Sequence, residues 1–428
     1  MFGIHIPALI RLLAVFVLIL FLIRKKVSLG NTFFIGTVCM GLVFGLGPLA
    51  IGKSVLTSCT HVKTLALTAI VVLILILSSS LDRSGQMRVM LDAFKGLIRS
   101  PRLNLVLFPS LIGLLPMPGG AIFSAPMVKE LGARSGYSPA RLSYVNYWFR
   151  HVWEFWWPLY PGVLLTTTLA GIDIIRFMGF MFPLSILALG VGFVFLKADT
   201  PPEQRDDAAA PSRQPVRFLI SLVPVLIVII GGLGTGFFLS AIFSDWMIAK
   251  EVGLILSLLV SIAFVWIRTG MDKNACREML FNRNLMNMIY MILTILMFKE
   301  VLEQGDAVTA VTGDLLHLHI PVAAIVMILP FLVGVVTGIT IAFVGSTFPI
   351  LIPLIQAMDP GAALMPYMML GLSIGFVGVL VSPVHLCFIL TNEYFRVDTA
   401  TVYAVLVKPA LGLGAMALVY YAVLRAII

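Results

Sequence analysis

Pro109-Ser-Leu-Ile-Gly113-Leu-Leu-Pro116-Met-Pro118-Gly119-Gly120-Ala-Ile-Phe-Ser124-Ala-Pro126-Met-Val128 is apolar enough to enter a membrane, yet it does not cross as one helix. Proline lacks the amide hydrogen and clashes with the preceding turn. In lipid, each freed backbone group costs several kcal/mol unless protein or a water-filled cavity surrounds it. Residues 104–131 therefore read as a re-entrant helical hairpin whose tip spans 116–124. A second stretch, 332–350, repeats the plan. Leu-Val-Gly at 332–334 answers Leu-Ile-Gly at 111–113, and Thr347-Phe348-Pro349 answers Ser124-Ala125-Pro126. Two broken segments at matching places in two halves point to a transport site.

The rest of the chain supplies the membrane context. Of 428 residues, 60% are hydrophobic and 11% charged, which excludes an ordinary soluble domain. The first apolar run, 6–23, has its basic cluster (Arg24, Lys25, Lys26) behind it, the reverse of a signal peptide, and reads as a retained helix. Cys39, Cys59, Cys276 and Cys387 lack metal or redox spacing and read as packing residues. The net charge of +9 is assigned to loops on one side of the membrane, not to nucleic acid.

Apolar spans are expected at 6–23, 32–51, 64–81, 142–169 (interrupted at Pro158 and Pro161) and 174–196, with an amphipathic interfacial segment at 87–99. A proline- and charge-rich linker, 198–216, follows. The second half repeats the order: spans at 218–243, 252–267 and 285–301, an amphipathic segment from Val308, a hairpin at 320–356, a span broken at Pro383 (362–390), and a last span at 401–424. The offset between equivalent landmarks stays at roughly 221 to 225 positions, the mark of an internal repeat. The expected fold is thus an all-α polytopic membrane protein of two inverted-topology repeats, 1–197 and 217–428. Each repeat has about five transmembrane helices and one hairpin. Counting crossings, one side collects Arg24, Lys25, Lys26, Arg83, Arg88, Arg141, Lys197, Arg205 and Arg277 among others, and the other has chiefly Lys53, Lys63, Lys250, Lys299 and Arg425. The basic side is cytoplasmic by the positive-inside rule, which puts both termini outside and gives the hairpins opposite openings.

Three groups of residues carry candidate chemistry. At the tips, Pro118, Gly119, Gly120 and Ser124, with Gly345, Ser346 and Thr347, are substrate-binding candidates. A hydroxyl two residues before proline suits a helix start, where free N–H groups attract anions. In the run Asn146-Tyr-Trp-Phe-Arg150-His151-Val-Trp-Glu154, Arg150 and Glu154 stand four apart. Arg150 suits an organic anion and Glu154 a proton; the structural alternative is a self-neutralised pair among interfacial aromatics. In the second broken helix, His385 is a proton or substrate contact or a core histidine, with Thr391 and Asn392 as ion-coupling candidates. No phosphate loop, metal cluster or nucleophile triad is evident, and neither catalysis nor a resident cofactor is expected.

Two hairpins with Ser/Thr-rich tips and two proline-broken helices resemble the ion transporter superfamily. That group includes gluconate permeases, citrate and dicarboxylate carriers and sodium/proton antiporters. More closely, Leu115-Pro-Met-Pro-Gly-Gly-Ala121 and Ser382-Pro-Val-His-Leu-Cys387 look like a prokaryotic membrane family of unknown function. Gly345-Ser346-Thr347 is similar to the Ser-Asn-Thr tips of the dicarboxylate carriers, without the asparagine. The resemblance implies about ten spans, a multi-pass protein of the prokaryotic inner membrane, often a homodimer, and a substrate site between the tips. The expected function is a cation-coupled carrier of a small organic anion, with Na⁺ or H⁺ as the transported cation. A sodium/proton antiporter and a non-transporting membrane protein are the alternatives.

Overall fold

The computed structural model describes residues 7–94, 97–98, 100–117, 119–132, 136–196, 199, 214–243, 246, 248–317 and 320–428. All regular structure among them is helical. The first half runs α1 (Ala8–Arg24), α2 (Leu29–Val43), α3 (Pro48–Thr60), α4 (Val62–Arg83) and α5 (Gln86–Phe94). The hairpin α6 (Pro101–Gly113) and α7 (Ala121–Gly132) follows, then α8 (Pro139–Arg150), α9 (Pro161–Ala170) and α10 (Ile174–Val194). The second half begins with α11 (Pro215–Leu226), which continues through a π-helical turn into α12 (Gly232–Ile242). Next come α13 (Ala249–Thr269), α14 (Lys273–Leu280), α15 (Arg283–Gln304) and α16 (Ala307–His317). The second hairpin, α17 (Val322–Thr337) and α18 (Thr340–Met358), leads to α19 (Leu364–Leu380), α20 (Leu386–Phe395) and α21 (Thr399–Ile427).

Seven of the described helices are long and apolar enough to cross a membrane, and shorter apolar helices supply the broken crossings. The molecule is a multi-pass membrane protein. Its outer surface carries exposed Phe237, Phe238, Ile267, Leu411 and Val419, as lipid contact requires.

The same order of elements appears twice, and contacts between halves come in exchangeable pairs. α2 packs on α15 and α13 on α4; α11 packs on α5 and α1 on α16; α7 packs on α20 and α18 on α9. The helix starts correspond as well. Asp173 caps α10 through the Arg176 amide, and Asp398 caps α21 through the Thr401 amide, both at 3.0 Å.

Two expectations are corrected. The span at 32–51 is not one helix: α2 ends at Val43, the chain turns through Gly45 at φ +84°, and α3 starts at Pro48. α3 buries Ile51, Ser54 and Ser58 and leaves Lys53 exposed, so it lies along the protein rather than continuing the crossing. The second hairpin turns at Gly338 and Ile339, not at 345–347. Gly338 takes the left-handed conformation (φ +62°), which glycine adopts without the penalty of a side chain. Of the linker, only Asp199 and residues from Gln214 onward are described, and Lys95, Arg99, Pro118, Lys197, Arg205 and Leu318 lie outside the described residues.

Asp199 fastens the linker's start to α8, accepting from the Ser138 amide (2.9 Å) and Arg141 Nε (2.5 Å). Burial raises its carboxyl, but the hydrogen bonds from Ser138 and Arg141 outweigh this and hold it below the usual aspartate range. The clasp is therefore complete at neutral pH and is lost as pH falls through that lowered value.

Each hairpin's first arm crosses its broken helix at backbone contact. A Cβ on Gly113 would stand 2.0 Å from the Arg150 carbonyl oxygen, and one on Gly334 would stand 2.2 Å from that of Gly375. A Cβ on Gly378 would lie 2.4 Å from the Phe331 carbonyl oxygen. Backbone does not yield as a side chain does, so Gly378→Val should destabilise by about 1–3 kcal/mol or more. Melting in detergent checks this, with Gly234→Ala as control, since nothing lies within 4 Å of its added carbon. Equal melting of the two variants would contradict the close crossing.

Candidate functional site

Beyond Arg150 the first broken helix leaves helical form until Pro161. Here a helix end and a hairpin arm leave carbonyls free deep in the protein. Three aromatic side chains answer them. Trp153 Nε1 donates to the Ser110 carbonyl (2.7 Å), Trp157 Nε1 to that of Leu114 (2.9 Å) and Tyr160 OH to that of Gly113 (2.6 Å). Ser110 Oγ returns a bond to the Phe149 carbonyl at 3.0 Å. These aromatics therefore fasten the first hairpin.

Arg150 continues the pattern to the tip. Its Nη2 donates to the Met117 carbonyl at 2.6 Å, and its Nη1 contacts Cys387 Sγ at 3.2 Å. Gly120 leaves room for it, because a Cβ there would stand 2.4 Å from Nη2. The expected pairing of Arg150 with Glu154 does not form. The helix ends at Arg150, so the periodicity that would stack the two is gone. Glu154 turns to the second hairpin, where its Oε2 accepts from Thr340 Oγ1 at 3.0 Å. One charged residue meets each hairpin.

The second broken helix resumes at Leu386, and His385 stands at that junction. His385 Nδ1 lies 2.7 Å from the Gly338 carbonyl, and Ser382 Oγ donates to that of Val335 at 2.7 Å. His151 Nδ1 lies 2.6 Å from the Tyr147 carbonyl, and its Nε2 lies 3.1 Å from His385 Nε2. Tyr147 OH donates to the Leu380 carbonyl at 3.0 Å, tying α8 to the end of α19.

A polar ladder descends α8 from this cluster. Asn146 Nδ2 donates to the Ala121 carbonyl (2.9 Å) and to Thr391 Oγ1 (3.2 Å), and its Oδ1 accepts from Ser124 Oγ (2.6 Å). Ser143 Oγ donates to Asn392 Oδ1 at 2.5 Å. Ser124, Thr391 and Asn392 thus share one buried network with the first tip. Two buried donors of this region, Arg150 Nε and Asn392 Nδ2, have no partner among the described residues.

The hydroxyls expected as caps are placed otherwise. α7 starts at Ala121 and α18 at Thr340, so Ser124 and Thr347 lie inside helices. Thr347 Oγ1 donates to the Phe343 carbonyl (2.7 Å) and Ser346 Oγ to that of Ala342 (2.8 Å), which uses them within their own helix. Gly345 is a packing position: a Cβ there would meet Ile295 at 2.5 Å. Ser143, Asn146, His151, Cys387 and Thr340 do not stand out from the sequence as site residues. The spacing of Ser143, Asn146 and Arg150 on one face of α8 is the signal that points to three of the ladder's groups.

A cavity of about 490 Å³ opens between α4, α12 and α13 on one side and α9 and α10 on the other. Lys63, Asp173, Lys250, Thr167 and Trp246 line it, and it reaches the helix break only at Pro158. It is distinct from the buried cluster of Arg150, Glu154 and the histidines.

A family model matches residues 6–424. The chain belongs to the family described as "Protein of unknown function (DUF401)". No curated protein matches the sequence. The crystal structure of the Alcanivorax borkumensis YdaH transporter, described as having an unusual topology, is similar at a TM-score of 0.63 and 15% identity. The match covers 87% of this chain and 86% of that one, and at this identity the likeness is one of fold.

Thr340 is the one hydroxyl among the described residues that reaches the Glu154 carboxylate. Thr340→Ala should cost about 1–3 kcal/mol by leaving a buried acceptor short of a partner, and Thr340→Ser should restore it. Melting in detergent reads the difference; a Thr340→Ala protein as stable as the native one would remove this bond from the site.

Proposed function

We propose that the protein is a secondary active transporter, a cation-coupled carrier of a small organic anion, a carboxylate, working by alternating access within the ion transporter superfamily. The observation that carries this reading is the pair of unpartnered buried donors, Arg150 Nε and Asn392 Nδ2, on either side of the network at the first tip. Each unmet donor costs about 1–3 kcal/mol, and a carboxylate supplies oxygens that fit a guanidinium. Arg150, Gly119, Gly120 and Ser124 would face the anion. Asn392 Nδ2 would face the anion as well, and Glu154, Thr391 and His385 would serve the coupled cation, Na⁺ or H⁺. Gly345, Ser346 and Thr347 would shape the second hairpin from behind. The likeness to the YdaH transporter supports the class of protein, not the substrate.

Alternating access needs two halves of opposite orientation, and the ion pairs support it. Arg83–Glu278 and Arg141–Asp199 join segments that the loop count puts on the basic side. Lys250–Asp173 and Arg425–Asp359 join segments that it puts on the other. The equivalent short helices α3 and α14 then lie on opposite faces. Cysteines placed at exposed Lys53 and Lys273 should react with an impermeant maleimide from outside at 53 alone. Reaction at 273 alone would reverse the orientation.

Proteoliposome uptake of labelled gluconate, citrate and succinate under a sodium or proton gradient tests the function. At least one should accumulate, Arg150→Gln should lower its uptake by about tenfold or more, and Gly120→Val should block it by crowding the guanidinium. The buried neighbours Glu154, His151 and His385 favour a second reading, a sodium/proton antiporter. Sodium-driven pH change without carboxylate uptake would decide for it.

A further inference from the structure

Two imidazole nitrogens face one another at the junction of the broken helices. A carbonyl oxygen only accepts, so the bonds from His151 Nδ1 to the Tyr147 carbonyl and from His385 Nδ1 to the Gly338 carbonyl place the ring protons on Nδ1. In both neutral rings Nε2 then presents a lone pair. The two Nε2 atoms stand 3.1 Å apart, in a site where His151 is 1% and His385 9% exposed. His151 Nε2 already meets Arg150 Nη1 at a long 3.4 Å, and two acceptors aimed at each other across 3.1 Å are met together by a positive centre between them. Cys387 Sγ stands beside them: the three ligand atoms lie within 4.8 Å of one another.

We propose that His151, His385 and Cys387 bind a divalent transition-metal ion of the zinc type, linking the break after α8 to the start of α20. A tetrahedral zinc with nitrogens at about 2.0–2.1 Å places them about 3.3 Å apart, close to the spacing found. Each ring already makes the outer-shell bond that metal-ligating histidines use to fix tautomer and orientation. The sulfur selects a soft ion over Na⁺, Mg²⁺ or Ca²⁺. Glu154 Oε1, 3.8 Å from His151 Nε2, is within reach as a fourth ligand. A thiolate and a carboxylate together balance the ion's two positive charges, the adjacent Arg150 guanidinium leaves the cluster one positive charge over, and the thiol proton leaves for solvent on binding. Arg150 Nη1 touches His151 Nε2 at 3.4 Å, its longest contact, and the ion displaces that contact while Nη2 keeps the Met117 carbonyl. A proton shared between the rings is the competing arrangement, and it leaves the sulfur as an acceptor for Arg150 Nη1 at 3.2 Å. The site touches Arg150 and shares Glu154 and His385 with the groups assigned above to the coupled cation, but it rests on its own ligand geometry and not on the carboxylate reading.

The test uses the full chain in detergent with Cys39, Cys59 and Cys276 replaced by alanine, loaded with Co²⁺ and dialysed. One ion per chain should remain, with the intense visible bands of tetrahedral cobalt and a near-ultraviolet sulfur-to-cobalt charge-transfer band, both removed by added Zn²⁺. Cys387→Ser should abolish the charge-transfer band, and His385→Gln should weaken retention by about tenfold or more. No retained ion, or a weak octahedral spectrum indifferent to Cys387→Ser, would overturn the proposal. X-ray absorption of the zinc-loaded native chain needs no variant: a shell with two nitrogens and one sulfur is expected, and a shell without sulfur refutes the site.

Discussion

The fold depends on backbone carbonyls that are released inside a membrane and must be met by side-chain donors. Two hairpins and two broken helices free them where no bulk water can answer, at several kcal/mol each if unmet. The first hairpin's Ser110, Gly113, Leu114 and Met117 carbonyls take Trp153, Tyr160, Trp157 and Arg150. The second hairpin's Val335 and Gly338 carbonyls take Ser382 and His385. In both cases the donors come from the broken helix of the same half. Indole, phenol, guanidinium and imidazole groups gather at the breaks for this reason, and the same requirement places polar chemistry at the centre of the protein.

The two halves share this backbone plan but not its side chains. Gly113 rests on the carbonyl of Arg150 and Gly334 on that of Gly375. The crossing is the same, while the side chain at the contact is a buried cation in one half and a hydrogen atom in the other. Repetition supplies the scaffold, and departures from repetition supply the site. Asn146 and Arg150 of the first half meet Thr391 and Cys387 of the second, so neither half contains the cluster alone.

The sequence reveals the fold more fully than the site. Glycine and proline positions, apolar run lengths and basic loops each constrain the backbone locally, so both hairpins and both breaks are legible. The span at 32–51 misleads because its apolar composition hides the turn at Gly45. The site is harder to read, because helical periodicity stops where the site begins. Arg150 and Glu154 look like a pair at four-residue spacing, and the helix end at Arg150 sends them to different hairpins. Ser124 and Thr347 look like caps, but the helices start three and seven residues earlier. Cys387 and His151 gain their meaning only from contacts more than two hundred positions away in the chain.

The central claim is that one buried cluster joins the break in the first half to the turn of the second hairpin. A cross-link tests it most directly. In a cysteine-free chain carrying Glu154→Cys and Thr340→Cys, with a protease site placed within 200–213, a short bifunctional thiol reagent is added in membranes before cleavage. The account predicts that the two halves then run as a single band under denaturing, non-reducing conditions, as the 3.0 Å contact between these side chains requires. Halves that separate completely after efficient labelling of both cysteines would contradict it.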